Sequence, residues 1–446
     1  MPNQCRRLLT VCLWLGLSLS LPRAWAQSCS LVETPPAGDC LRVEIDAQVE
    51  GTMRVMREGK WVELPVRAEA RHVFLEKALG EPTDANSRVA RYYQHSTLNH
   101  SVNGQTVQRS LALARRLLIV PRNPTERGAC FCPHGPLTRD ELELVAEHFN
   151  TLALIGLLPG RTVEQDSAGS WPIPNSVVLG LCQFEGLLEH QLTGRLESIG
   201  NGKAYFTVSG KASGIDLGAK VEITVNARCE YDLLAKRLVR VEWTQQDQRD
   251  QAPASPAMHL RSKTTITRTP LEREPDELTS VALAGVPSGP VPESLLHLRE
   301  QDVAGRFRLT HSRDWYLVAR TNAHTVLRLM EKGDLLAQAT ITPWKKALPG
   351  EHLSPEQFRH LASEAPAWQV EEVLEDGPIA TSTQRYIYRH AVRGTLEGLK
   401  VVQIFYLIAN PTGEQAIVTF TMRPGVLAQV GERDLALVNA LELLPQ

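Results

Sequence analysis

The sequence predicts an α+β protein of two domains, each an antiparallel β-sheet packed against a few helices. Three observations carry this. Leu41, Val43, Ile45, Ala47 and Val49 alternate strictly with Arg42, Glu44, Asp46, Gln48 and Glu50. That is a long strand with one buried and one wet face, which favours antiparallel sheet. Apolar residues at helical spacing interrupt the strand-like stretches in two places. A Gly/Pro-rich run, Gly285-Val286-Pro287-Ser288-Gly289-Pro290-Val291-Pro292, then divides the chain into a longer N-terminal and a shorter C-terminal part.

The chain opens on a three-part export signal. Arg6 and Arg7 supply the positive start, Leu8 to Leu21 an apolar run too short to span a bilayer, and Ala24-Trp25-Ala26 a small-x-small cleavage signal. Cleavage there makes Gln27 the first mature residue and places the protein outside the cytoplasm, secreted or periplasmic. Residues 1–26 are thus a signal peptide, 27–270 a first domain, 271–297 a linker and 298–446 a second domain. After the signal there is no second long apolar run, so no transmembrane anchor is expected. The formal net charge of −2 becomes more negative once Arg6, Arg7 and Arg23 are removed, and no basic stripe points to nucleic acid.

In the first domain, further strand-like stretches lie near Trp61–Ala78, Arg88–His100 and Ser110–Val120. Thr138 and Glu141 form a capping box, and Leu142, Val145, Phe149 and Leu152 repeat at helical spacing. A second helix is expected from Asn175 to about Leu188, with Val177, Leu181, Phe184 and Leu188 on its buried stripe. Asn201-Gly202 predicts a two-residue hairpin turn. Val221, Ile223, Val225, Ala227, Cys229 and Tyr231 then share one face of a long strand, and Val239, Val241 and Trp243 one face of the next.

In the second domain, Phe307 and Leu309 open a strand, with Trp315 on the next. Ser354-Pro355-Glu356-Gln357 is a helix start with an N-cap, proline at its first position and a glutamine box partner. Three more strands lie near Ile379–His390, Leu399–Ile408 and Ala416–Met422, with Asn410-Pro411-Thr412-Gly413 turning the last pair. A final helix carries Leu435, Val438 and Leu441. In this order of elements the last part of the chain resembles the PsbP-like fold, carried by Phe307, Leu309, Trp315, the Ser354 helix, and the Tyr406 and Phe420 strands. That resemblance implies an accessory or partner-binding role rather than catalysis. The first domain loosely resembles LolA-type periplasmic carriers, which implies a curved sheet wrapped over helices.

Six cysteines remain after the signal: Cys29, Cys40, Cys130, Cys132, Cys182 and Cys229. An even number in an exported chain predicts disulfides. Cys29–Cys40 is the preferred local pair, leaving Cys182 and Cys229 to pair with Cys130 and Cys132 in an open order. Cys130-Phe131-Cys132-Pro133-His134 also has metal-binding residue types, but no fourth ligand is apparent. His95 and His100 are separated by an odd number and face opposite sides of a strand. Glu371, Glu372, Glu375 and Asp376 read as a solvated acidic run at a helix end. Asn99-His100-Ser101 fits a glycosylation sequon. Gly210 to Gly214 does not make a nucleophile elbow. The expectation is therefore a non-catalytic protein without cofactor or metal, which holds an apolar ligand or docks onto an unknown protein of the cell envelope. A structural envelope component is the alternative, and a hydrolase with unrecognised residues a further one.

Overall fold

The computed structural model describes residues 28–445 except 58, 81–86, 122–129, 147–148, 166–168, 217, 253–255, 332, 365–367 and 380–384. The signal expected over residues 1–26 lies outside them. Strands make up 58% of the described residues and helices 14%, so the protein is nearly all-β and the expected α+β class is corrected. The expected helices are short. Thr138 and Glu141 do form their reciprocal cap, at 3.1 and 2.9 Å, yet the helix they start spans only Arg139–Ala146. The second ends at Leu181. Gln183 turns left-handed at φ 57°, and Gly186–His190, expected as the helix end, is a strand.

The first sheet has twelve strands, antiparallel throughout. Its centre is a hairpin of Cys40–Arg57 and Lys60–Ala78, continued on one side by Arg88–Val102 and on the other by Ala257–Pro270, Arg237–Arg249, Ala219–Asp232 and Lys203–Asp216. Strand alternation gives it an inner face. Leu41, Val43, Ile45, Phe74, Tyr93, Val241, Trp243, Ala227 and Cys229 all point into one core. The Arg139–Ala146 helix, the 3-10 turn Thr151–Leu157 and the Asn175–Leu181 helix cover it. Phe149 stacks edge-on against Trp243 at 5.2 Å.

The Pro/Gly segment lies against the other face of this sheet. Leu278 is fully buried with Leu75, Ile119 and Phe131, and Leu283, Val286 and Val291 pack around them. Arg88 donates to the carbonyls of Pro287 and Gly289 at 2.8 and 2.6 Å.

The second domain is a seven-stranded antiparallel sheet with a three-stranded one beside it. Its Ser354 capping box forms as expected and starts the Pro355–Ser363 helix. The final helix is Arg433–Asn439, with Leu441 already in a short strand. The two domains are clasped at Arg139. Its side chain donates to the carbonyls of Arg313 and Trp315 at 2.5 and 2.8 Å and lies 4.3 Å from the Tyr316 ring. In return Arg313 donates to the carbonyl of Cys130 at 2.6 Å.

Candidate functional site

The sheet outruns its cover. Along the central hairpin, inner-face residues are buried as far as Ile45 and His72 and only half-buried beyond them. The cross-strand pairs beyond that point are Ala47–Ala70, Val49–Ala68, Gly51–Val66, Met53–Leu64 and Val55–Val62. The Ala257–Pro270 strand adds Met258 opposite Met53 and Leu260 opposite Gly51. Val49, Met53, Val55, Val62, Leu64, Val66, Met258 and Leu260 belong to none of the core clusters. They form an apolar strip with no helix over it among the described residues. Eight residues of strand at 3.4 Å each make it about 27 Å long, against roughly 15 Å for the hydrocarbon of one bilayer leaflet.

One border of the strip is polar. Gln245, Asp247 and Arg249 continue the inner face on the strand next to Met258 and Leu260. Gln245 accepts the Trp243 indole N–H at 2.9 Å, and Arg249 is paired with Asp216. Asp247 sits opposite Leu260 on one side and Ile223 on the other, and its Oδ1 is buried without a donor. Burial pushes its carboxyl up to about 6, with the neighbouring Asp216 adding to the effect and Gln245 and Arg249 opposing it.

The opposite face of the same strands is wet. There Glu50, Lys211, Glu222, Gln246, His259 and Arg261 line an open trough of about 810 Å³. Two glycines on these strands allow close backbone approaches. A Cβ on Gly51 (φ 154°) would stand 2.0 Å from the His259 carbonyl oxygen, and one on Gly210 (φ 146°) 2.3 Å from that of Gln191. Only glycine permits so close an approach to a neighbouring backbone.

The six cysteines are dispersed over this domain, all buried, and all stand as free thiols, so the structure contains none of the expected disulfides. Cys29 lies on a short strand beside Val163, and Cys40 opens the hairpin opposite Lys77. Cys130 and Cys132 flank Phe131, whose backbone bridges to Ile119. Cys182 caps the Asn175–Leu181 helix, and Cys229 faces inward opposite Phe206 and Val241. Burial raises the thiol of each, that of Cys182 to about 12. No group of three metal-ligating side chains occurs among the described residues. His95 and His100 stand opposite Val73 and Ala68 on the neighbouring strand, and Asn99 is exposed.

The acidic run lies on an edge strand, Trp368–Pro378, and not at a helix end. Cross-strand cations explain it: Glu372 pairs with Arg393 at 2.5 Å, and Glu371 and Glu375 with Lys400 and Arg389. Asp376 is more elaborate. Its Oδ1 accepts from Tyr388 at 2.9 Å and meets His390 Nδ1 at 2.9 Å, while its Oδ2 accepts from Arg359 at 2.9 Å. These hydrogen bonds hold its carboxyl below the usual range against the opposing effect of burial. An aspartate-oriented histidine can serve acid–base chemistry. Here both carboxylate oxygens are satisfied by the chain itself, and the network ties the Pro355–Ser363 helix to the sheet.

No family model and no curated protein matches the chain. Among solved structures, the cyanobacterial PsbP (CyanoP) of Synechocystis sp. PCC 6803 aligns at 10% identity. It covers 33% of this chain and 92% of its own, with a TM-score of 0.27. The Ran-binding protein Mog1p of Saccharomyces cerevisiae aligns at 9% identity over 33% of this chain and 95% of its own, TM-score 0.24. A lipovitellin structure aligns at 9% identity over 54% of this chain and 26% of its own, TM-score 0.28. The PsbP likeness thus extends to a third of the chain at low identity, and the expected likeness to LolA-type carriers is not shown. No helix among the described residues is long and apolar enough to cross a membrane.

Proposed function

We propose that this is a non-catalytic binding protein that works after export. Its first domain holds an apolar or amphiphilic ligand along the uncovered strip. The observation that carries the reading is the run of half-buried pairs from Ala47–Ala70 to Val55–Val62, an apolar sheet face continuing past the last element that covers it. A sheet face must be covered by something, and uncovered apolar surface marks binding sites. Asp247 at the border gives the strip a polar edge beside Leu260. The binding is tested with a fluorescent fatty-acid probe on the purified full chain. Saturable binding that falls about tenfold in Val49→Ser/Leu64→Ser supports it, since each change removes an apolar contact to the ligand. Absence of probe binding, or binding indifferent to both substitutions, overturns it.

A further inference from the structure

One buried histidine at the junction of the two domains has half of its hydrogen bonding unmet. His311 is only 3% exposed and stands opposite Leu298, whose side chain lies in the core of the first domain. Its Nδ1 is 2.7 Å from the Ser312 carbonyl oxygen, which can only accept, so Nδ1 carries the ring proton. Nε2 is then the acceptor of the neutral ring, and it is buried without a hydrogen-bond partner among the described residues. The Arg139 guanidinium, reaching over from the first domain, is close enough to act on the charge of this ring, and Arg313 stands beside Arg139. Arg313 donates to the carbonyls of Leu296 and Cys130, as Arg139 does to those of Arg313 and Trp315. His297, just ahead of the strand that His311 pairs with, adds positive charge when protonated. The nearby acids are engaged. Asp314 is paired with Arg433 at 3.4 Å and hydrogen-bonded by Ser312, Glu300 is paired with Arg320 at 3.2 Å, and Asp140 with Arg109 at 3.0 Å. Burial keeps the Cys130 thiol protonated.

We propose that His311 makes this junction a proton-sensitive clasp, which holds the domains together while the ring is neutral and loosens when the ring is protonated. A proton on Nε2 adds a charge where no acceptor meets it and where Arg139 already stands, so the closed junction resists it. Burial is the largest influence. With Arg139 and His297 it outweighs the Ser312 carbonyl and Asp314, and it lowers the ring to about 4. With the junction open the ring is wet and returns to about 6.5. His311 therefore favours the closed state fully above about 6.5, and that advantage is lost as pH falls towards 4, about thirtyfold of it by pH 5. The clasp does not depend on the strip holding a ligand.

The test is calorimetric unfolding of the full chain at pH 8 and pH 5, comparing wild type with His311→Asn, whose amide keeps a donor for the Ser312 carbonyl and does not titrate. Wild type unfolds in one transition at pH 8 and in two at pH 5. Fitted as two coupled domains, its closing constant falls about thirtyfold between these values, and that of His311→Asn by about threefold or less. His311→Gln replaces His311→Asn if the latter does not fold. His72→Asn separates the clasp from the other buried histidine that charges in acid. It changes the stability of the first domain and leaves the splitting in place. A single wild-type transition at pH 5 overturns the proposal whatever the variants do. So does splitting that persists when His311 is replaced, or splitting that vanishes in His72→Asn.

Discussion

In the second domain the strand Leu399–Ala409 is buried without a break from Val401 to Ala409. Its Ile404, Tyr406 and Ile408 pack under Leu437 and Val438, and its Phe405 and Leu407 under Phe358. In the first domain Lys60–Ala78 is longer, yet it is fully buried only in its last third and alternates between half-buried and exposed before that. Both strands are central and antiparallel. They differ in how far the covering elements reach. Strand length therefore sets how much apolar face the cover leaves open. Cover that stops short leaves apolar surface whose contribution to folding is small and whose availability to other molecules is large.

The largest effect is expected where cover is complete. Phe420 meets Trp315 at 5.9 Å and Tyr406 at 5.7 Å, so Phe420→Ala costs about 3–5 kcal/mol in urea unfolding. The clasp between the domains comes next. Arg139→Ala removes two hydrogen bonds to carbonyls and a ring contact, a loss of about 2–3 kcal/mol, and unfolding that was one transition separates into two by calorimetry. Coincident transitions in this variant would show that the remaining contacts, among them Arg313 on the Cys130 carbonyl and the packed 271–297 segment, suffice to couple the domains.

The polar edge gives a pH signature of similar size. The carboxyl of Asp247 is raised in the folded state to about 6, so its contribution is fully present below the unfolded aspartate value and is lost as pH rises through about 6. Asp247→Asn is therefore expected to gain about 2 kcal/mol over wild type at pH 8 and nothing at pH 3. His72 has the opposite sign. Burial, with the charges of His95 and Arg91, lowers it to about 4, so its stabilisation is present above the ordinary histidine value and lost as pH falls towards 4. Chemical denaturation across pH checks both. The smallest effect sits on the strip. Leu64→Ser costs about 1 kcal/mol or less, because the side chain is already half in water. A cost equal to that of Phe420→Ala would erase the distinction between the two sheets.

Much of the fold was legible because it is local. The alternation from Leu41 to Val49 predicts the strand, and Asn201-Gly202 predicts the turn, which forms with Asn201 at φ 52°. The capping residues at Thr138 and Ser354 predict helix starts. Helix lengths were not legible. Val177, Leu181, Phe184 and Leu188 keep helical spacing, but Gln183 turns the chain and Leu188 ends exposed on a strand. The reach of the cover was hidden too, since it depends on where short helices stop relative to strands far away in sequence. Asp247 gave no local sign of itself, as Asp216 and Leu260, which surround it, are distant in the chain.

Two readings on Val49→Ser/Leu64→Ser decide whether the uncovered strip is a binding surface or only thin packing. These are fatty-acid probe affinity and urea stability, taken on the same preparation. A binding surface requires that affinity fall about tenfold while stability changes by no more than about 1 kcal/mol per site. A variant that loses several kcal/mol of stability, or one that keeps full probe affinity, would contradict it.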